Sequence, residues 1–112
     1  MHTDSEVVLQ GSIYMVNLAP TKGHEQSGRR PVLVVSNNDF NRLTRLVKIV
    51  PITSKEKDFP MEMTLPKNLK TYGQVLGQHE RTIDLKHRDH EFVEMCPEGF
   101  VRDVLELLSN TY

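Results

Sequence analysis

The chain has no tryptophan, a single cysteine and no long apolar run. With tryptophan absent and aromatic residues at only 6% of the sequence, the core has to be assembled from Val, Leu, Ile and Met with few rings. Cys96 stands alone, which excludes an intramolecular disulfide and suits a reducing compartment. No apolar stretch approaches membrane-spanning length, and the opening Met1-His2-Thr3-Asp4-Ser5-Glu6 carries neither the basic nor the apolar region of a secretion signal. The expectation is a soluble, cytoplasmic protein with no membrane partner. At 112 residues the chain has room for one core and not two, so a single domain over 1–112 is expected, and chains of this size commonly bury further surface by pairing.

Strong charge of one sign is also lacking, since the net charge is −1, but the charges are unevenly placed. Between residues 22 and 57 the bases Lys22, Arg29, Arg30, Arg42, Arg45, Lys48, Lys55 and Lys57 face only Glu25, Asp39 and Glu56. After Arg88 the sign inverts, with Asp89, Glu91, Glu94, Glu98, Asp103 and Glu106 against Arg102. A basic half of this kind can attract an anionic polymer, or it can be the solvated outside of strands and loops; charge alone leaves both open.

Apolar periodicity points to a mainly β chain. Residues 13–18 alternate loosely, 31–36 form a continuous apolar run suited to a sheet interior, and 46–53 read as a further strand in which Pro51 requires an edge or a bulge. Residues 62–65 and 73–78 give two short strands separated by a polar turn over 66–71, and 90–95 add an edge strand. The end differs. Pro97 suits the first position of a helix, and Phe100, Val101, Val104, Leu105 and Leu108 recur at helical spacing. Gly99 weakens that helix by about 1 kcal/mol relative to Ala, so the apolar stripe has to hold it in place.

The richest stretch chemically is Gly23-His24-Glu25-Gln26-Ser27-Gly28-Arg29-Arg30-Pro31-Val32-Leu33-Val34-Val35-Ser36, a polar, glycine-bounded loop that feeds an apolar strand. Pro31 drives Arg30 toward extended geometry and so limits where its guanidinium points. An Arg held beside a His and a carboxylate is equipment for handling phosphate, although a solvated hairpin loop has the same composition. Adjacent side chains on an extended segment point to opposite sides, so Arg29 and Arg30 do not easily face one phosphate together.

Further segments follow in order: Phe40-Asn41-Arg42, Val50-Pro51-Ile52-Thr53-Ser54 and Gln78-His79-Glu80-Arg81-Thr82-Ile83-Asp84. With the Gly-His-Glu-Gln loop and the Arg-Pro strand they make nearly the whole chain resemble the MazF/PemK family of bacterial toxins. The resemblance implies a small SH3-like curled antiparallel β-barrel with a C-terminal helix, of the CcdB/PemK-like kind. It implies a homodimeric endoribonuclease that cuts single-stranded mRNA without metal or other cofactor and is neutralised by a cognate antitoxin protein.

Cleavage of this type needs a base for the 2′-hydroxyl, a cation for the phosphorane and an acid for the leaving 5′-oxygen. The resemblance assigns function to Arg30 and Thr53, and one branch of the family places a functional His where His24 stands. Arg30 would stabilise developing charge, Thr53 would donate a hydroxyl hydrogen bond, and a histidine is suited to proton transfer near neutrality. Glu25, Gln26, Arg29, Ser54, Gln78, His79 and Arg81 are the expected RNA contacts. One departure matters: where the PemK-like branch has an Arg and an Asp acting as acid and base, this chain has Leu76 and Gln78. Neither titrates, so Arg30 and Thr53 do the work, or His79 or His24 substitutes, or activity is reduced.

Two rivals follow. A CcdB-type poison that binds gyrase shares the expected fold but relies on a Trp-Gly-Ile ending, whereas this chain lacks tryptophan and finishes Asn110-Thr111-Tyr112. A non-catalytic RNA-binding module would account for Leu76 and Gln78. His87, His90 and Cys96 lack a fourth ligand and zinc-like spacing, so no metal site is expected.

Overall fold

The structure is a computed structural model that describes residues 7–18, 28–55 and 61–112. Its elements are β1 (Ser12–Asn17), β2 (Arg29–Val34), α1 (Asn38–Thr44), β3 (Val47–Thr53), β4 (Glu62–Thr64), β5 (Gln74–Leu76), β6 (Arg81–Ile83), β7 (His90–Met95) and α2 (Glu98–Ser109). The strands pair antiparallel in the order β4-β5-β3-β2-β1-β7, and β6 adds to β3.

The apolar runs 31–35 and 49–52 in and beside β2 and β3 are explained by burial on both faces of the sheet. On one side Ile13, Leu33, Val35, Val50, Ile52 and Val75 pack under Val101, Val104 and Leu108 of α2. On the other, Val16, Val32, Val34, Val47 and Ile49 pack with Ile83 and Leu85. The helix stripe expected from spacing is therefore the buried one. Pro97, expected as the first helical residue, is instead the N-cap, with the helix starting one residue later at Glu98, and the Pro97 carbonyl accepts from the Val101 N–H at 3.1 Å.

Pro51 lies inside β3, and the pairing shows why it is tolerated. One edge of β3 pairs with β2 over Ile49 to Pro51, while the other pairs with β6 up to Ile49 and with β5 from Ile52. The Lys48 carbonyl accepts from Val35 on the β2 side. Alternation then turns the position of the missing Pro51 N–H to the opposite side, into the gap between β6 and β5.

Two elements escaped the periodicity. The seven-residue α1 is too short for a repeating stripe and is held by its ends: the Asn37 side chain accepts from the Phe40 N–H at 2.8 Å, and Arg45 closes the helix in the left-handed region at φ 63°. Asn41 is buried within it, its amide donating to the Val8 carbonyl at 2.8 Å and its oxygen accepting from the Ser36 hydroxyl. The second is β6, three residues whose only apolar member is Ile83.

The expected barrel is not closed by strand pairing. The path starts at β4 and ends at β7, and among the described residues these edges do not pair. At the seam the β7 residue Glu94 instead accepts hydrogen bonds from Lys70 and Thr71, in the loop joining β4 to β5. A side chain thus stands where a barrel would have a backbone ladder.

Candidate active site

Arg30 enters the site from β2, a strand flanked on both sides and therefore stiffly held. The β2–β3 register pairs Val32 with Pro51, and continuing it two residues toward the strand ends sets Arg30 opposite Thr53. Both line a cleft of about 500 Å³ together with Met15, Pro31, Ile52, Ser54, Lys55, Lys70, Thr71, Tyr72 and Val93. A second hollow of about 420 Å³ is walled by Leu18, Gly28, Pro51, Leu76, His79 and Arg81, and Arg30 borders it too. Arg30 is thus shared by the two.

The electrostatics are one-sided. Lys55 and Lys70 join Arg30 in the first cleft and Arg81 joins it in the second, while among the described residues no carboxylate lines either. Arg30 is exposed and, among the described residues, makes no ion pair or hydrogen bond through its side chain. The Thr53 hydroxyl oxygen accepts from the Lys55 N–H at 3.2 Å, which leaves its own proton to be donated into the cleft. Tyr72, three-quarters exposed, offers a flat ring at the rim.

Of the residues singled out from sequence, Arg30, Thr53 and Ser54 meet in the first cleft, and Arg30, His79 and Arg81 meet in the second. Arg29 points elsewhere: its guanidinium lies 2.5 Å from Asp89 and 3.5 Å from Glu91, so the acidic end of the chain neutralises part of the basic half. Gln78 is exposed in the 3-10 turn Gly77–His79 and lines neither hollow. His24, Glu25 and Gln26 lie outside the described residues. Leu76 is buried in the wall of the second hollow.

Lys55, Lys70, Thr71 and Tyr72 were not anticipated. Lys70-Thr71-Tyr72 closes a segment that reads as a plain turn; its signal is a base followed by an aromatic, a pattern common to surfaces and nucleic-acid clefts alike.

The three residues weighed as metal ligands have separate engagements. His87 Nδ1 is 2.7 Å from Asp84, and His90 Nδ1 donates to the Arg88 carbonyl at 2.8 Å. Cys96 is buried, and burial followed by the charge of Glu94 pushes its thiol up to about 11. Such a thiol stays protonated and is a poor nucleophile or ligand.

A two-sided sheet, a terminal helix and a cleft whose charged lining residues, among those described, are all bases define a small β protein with a basic cleft. The family described as PemK-like, MazF-like toxin of type II toxin-antitoxin system matches residues 9–111, and the chain belongs to it. The endoribonuclease PemK of Escherichia coli is 41% identical over 105 residues, covering 89% of this chain and 78% of that one. The endoribonuclease EndoA of Bacillus subtilis is 30% identical, covering 83% and 90%. Among solved structures, MazF of Deinococcus radiodurans superposes with a TM-score of 0.81 at 37% identity, covering 94% of this chain and 96% of its own. A MazE–MazF structure from the same organism superposes at 0.79 with 32% identity, covering 94% of each chain.

Proposed function

We propose that this chain is a metal-independent endoribonuclease toxin that cuts single-stranded mRNA at short sequence motifs and leaves a 2′,3′-cyclic phosphate and a 5′-hydroxyl. The observation that carries the proposal is Arg30 of β2 and Thr53 of β3 lining one cleft whose charged lining residues are all bases among the described residues. The likeness to endoribonucleases PemK and EndoA supports it.

In this scheme the 2′-oxygen attacks phosphorus, the bond to the 5′-oxygen breaks, and the 2′ proton and a proton for the leaving group are exchanged with protein groups. The Arg30 guanidinium donates to the non-bridging oxygens as charge builds on the phosphorane, and the Thr53 hydroxyl adds a further donor. Since Leu76 and Gln78 carry no titratable group, the proton transfers fall to Arg30 with Thr53, or to the imidazole of His24 or His79. Arg81 and Lys55 hold the flanking phosphates, and Tyr72 stacks on an unpaired base.

The same reading has the toxin acting in the cytoplasm as a homodimer, its curled sheet serving as an open SH3-like barrel. A cognate antitoxin then blocks the cleft with an acidic segment; the MazE–MazF structure from Deinococcus radiodurans supports an antitoxin partner, and the basic lining of the cleft suits an acidic one.

Purified, antitoxin-free protein incubated with a long defined RNA in excess chelator tests the proposal. Discrete cuts with cyclic phosphate ends are expected, falling about 10²–10³-fold with Arg30→Ala, as for loss of one preorganised donor. Bound but intact RNA would instead identify a non-catalytic module.

A further inference from the structure

Glu94 bonds two residues that line the cleft, Lys70 and Thr71, without lining it itself. It lies on β7 at a bulge: Ile13 pairs with Glu94 and Tyr14 with Phe92, leaving Val93 as the extra residue. Val93 packs against the core that contains Ile13 and lines the cleft, while Glu94, as the partner of Ile13, faces the same way. Strict alternation would send these neighbours to opposite faces, and the bulge turns both inward.

Both oxygens of the Glu94 carboxylate are hydrogen-bonded. One oxygen accepts from the Lys70 N–H at 3.1 Å, and the other accepts from the Thr71 N–H at 2.8 Å and the Thr71 hydroxyl at 2.7 Å. The loop that supplies these donors is pinned at its base by the Leu65 N–H on the Gly73 carbonyl at 2.9 Å. Glu94 holds the other end of the loop, from a strand that makes no backbone pairing with β4 or β5. Lys70, Thr71 and Tyr72 are the cleft residues that ride on this loop.

We propose that Glu94 is a positioning residue of the RNA cleft, clamping the Lys70-Thr71-Tyr72 rim so that it faces Arg30 and Thr53. The inference rests on the nuclease reading and deepens it. A bare carboxylate beside a polyanion site would repel the substrate, and here the donors it has captured spread that charge into the loop. The rim contacts the flank of the RNA and not the reacting phosphate, so its loss raises KM and leaves kcat nearly unchanged.

The test compares wild type, Glu94→Gln and Glu94→Ala for cleavage of one defined RNA, with hydrogen exchange at the Lys70 and Thr71 amides measured without RNA. Glu94→Gln keeps the side-chain shape and one acceptor oxygen, so it remains informative if Glu94→Ala does not fold. Expected for Glu94→Gln is a KM raised about tenfold, kcat within about twofold and faster exchange at both amides. Unchanged KM despite faster exchange overturns the proposal, as does unchanged exchange. Wild-type protein that leaves RNA intact overturns the nuclease reading separately, and the clamp then stands or falls on the exchange rates alone.

Discussion

A Cβ placed on Gly73 would overlap the carbonyl oxygen of Thr53 and lie 2.9 Å from its carbonyl carbon. Gly73 also holds φ at 128°, a backbone conformation that L side chains rarely adopt. The end of β3 that presents Thr53 and Ser54 to the cleft is therefore shaped by an absent side chain on the loop opposite. Gly73→Ala is expected to destabilise the fold by roughly 1–3 kcal/mol through backbone strain alone, and by more through the clash. Denaturant unfolding measures the loss, and cleavage should fall further than stability explains because Thr53 is displaced.

Arg29 and Arg30 are neighbours with opposite environments, and substitution should separate them. Arg29→Ala removes an exposed ion pair with Asp89 and Glu91, so stability should change by less than about 1 kcal/mol. RNA cleavage should stay near wild type, because that guanidinium lines neither hollow. Kinetics on one RNA, with the Arg30 variant alongside, check this; a loss at Arg29 equal to that at Arg30 would sink the division of labour.

Burial raises the carboxyl pKa of Glu94, but the Thr71 hydroxyl, the Lys70 and Thr71 N–H groups and the charge of Lys70 outweigh it, leaving the group below its ordinary 4.5. A folded-state pKa below the unfolded one contributes stability that is complete above the unfolded value and is lost as pH falls through the folded value. Thermal melts should thus show a loss beginning below about pH 4.5 that is smaller in Glu94→Gln. A pH dependence identical in the two proteins would count against the bonding described.

Gly99 lies in the first turn of α2 with nothing within 4 Å of a built Cβ. Gly99→Ala should stabilise the protein by about 0.5–1 kcal/mol, since it lowers the entropy of the unfolded chain and adds helix propensity without a clash. A raised Tm with unchanged cleavage is the expected result, as Gly99 lines neither hollow.

Several elements were legible in the chain because their determinants are local. The apolar run that became β2, the alternation of β1 and the stripe of α2 each encode a face, and a face seeks cover wherever the chain leads. The β7 span, 90–95, matches the expected strand at both ends. In contrast, α1 rests on two caps and β6 on a single apolar residue, signals too small to stand above a loop. Arg30 and Thr53 were singled out by resemblance, whereas Lys55, Lys70, Thr71 and Tyr72 had only the ordinary look of a turn.

By itself the sequence determined a β-rich chain closed by one amphipathic helix, an uneven charge and the residues capable of phosphate chemistry. Tertiary structure alone decided which of those residues meet. The pairing of β2 with β3 brought Arg30 and Thr53 to one cleft, the ion pairs with Asp89 and Glu91 drew Arg29 away, and the bulge at Val93 turned Glu94 onto a loop 23 and 24 residues distant in sequence. Periodicity describes which side of a strand a residue occupies. Register, bulges and long-range pairs depend on the whole sheet, because each is selected by the packing of segments that no local pattern relates.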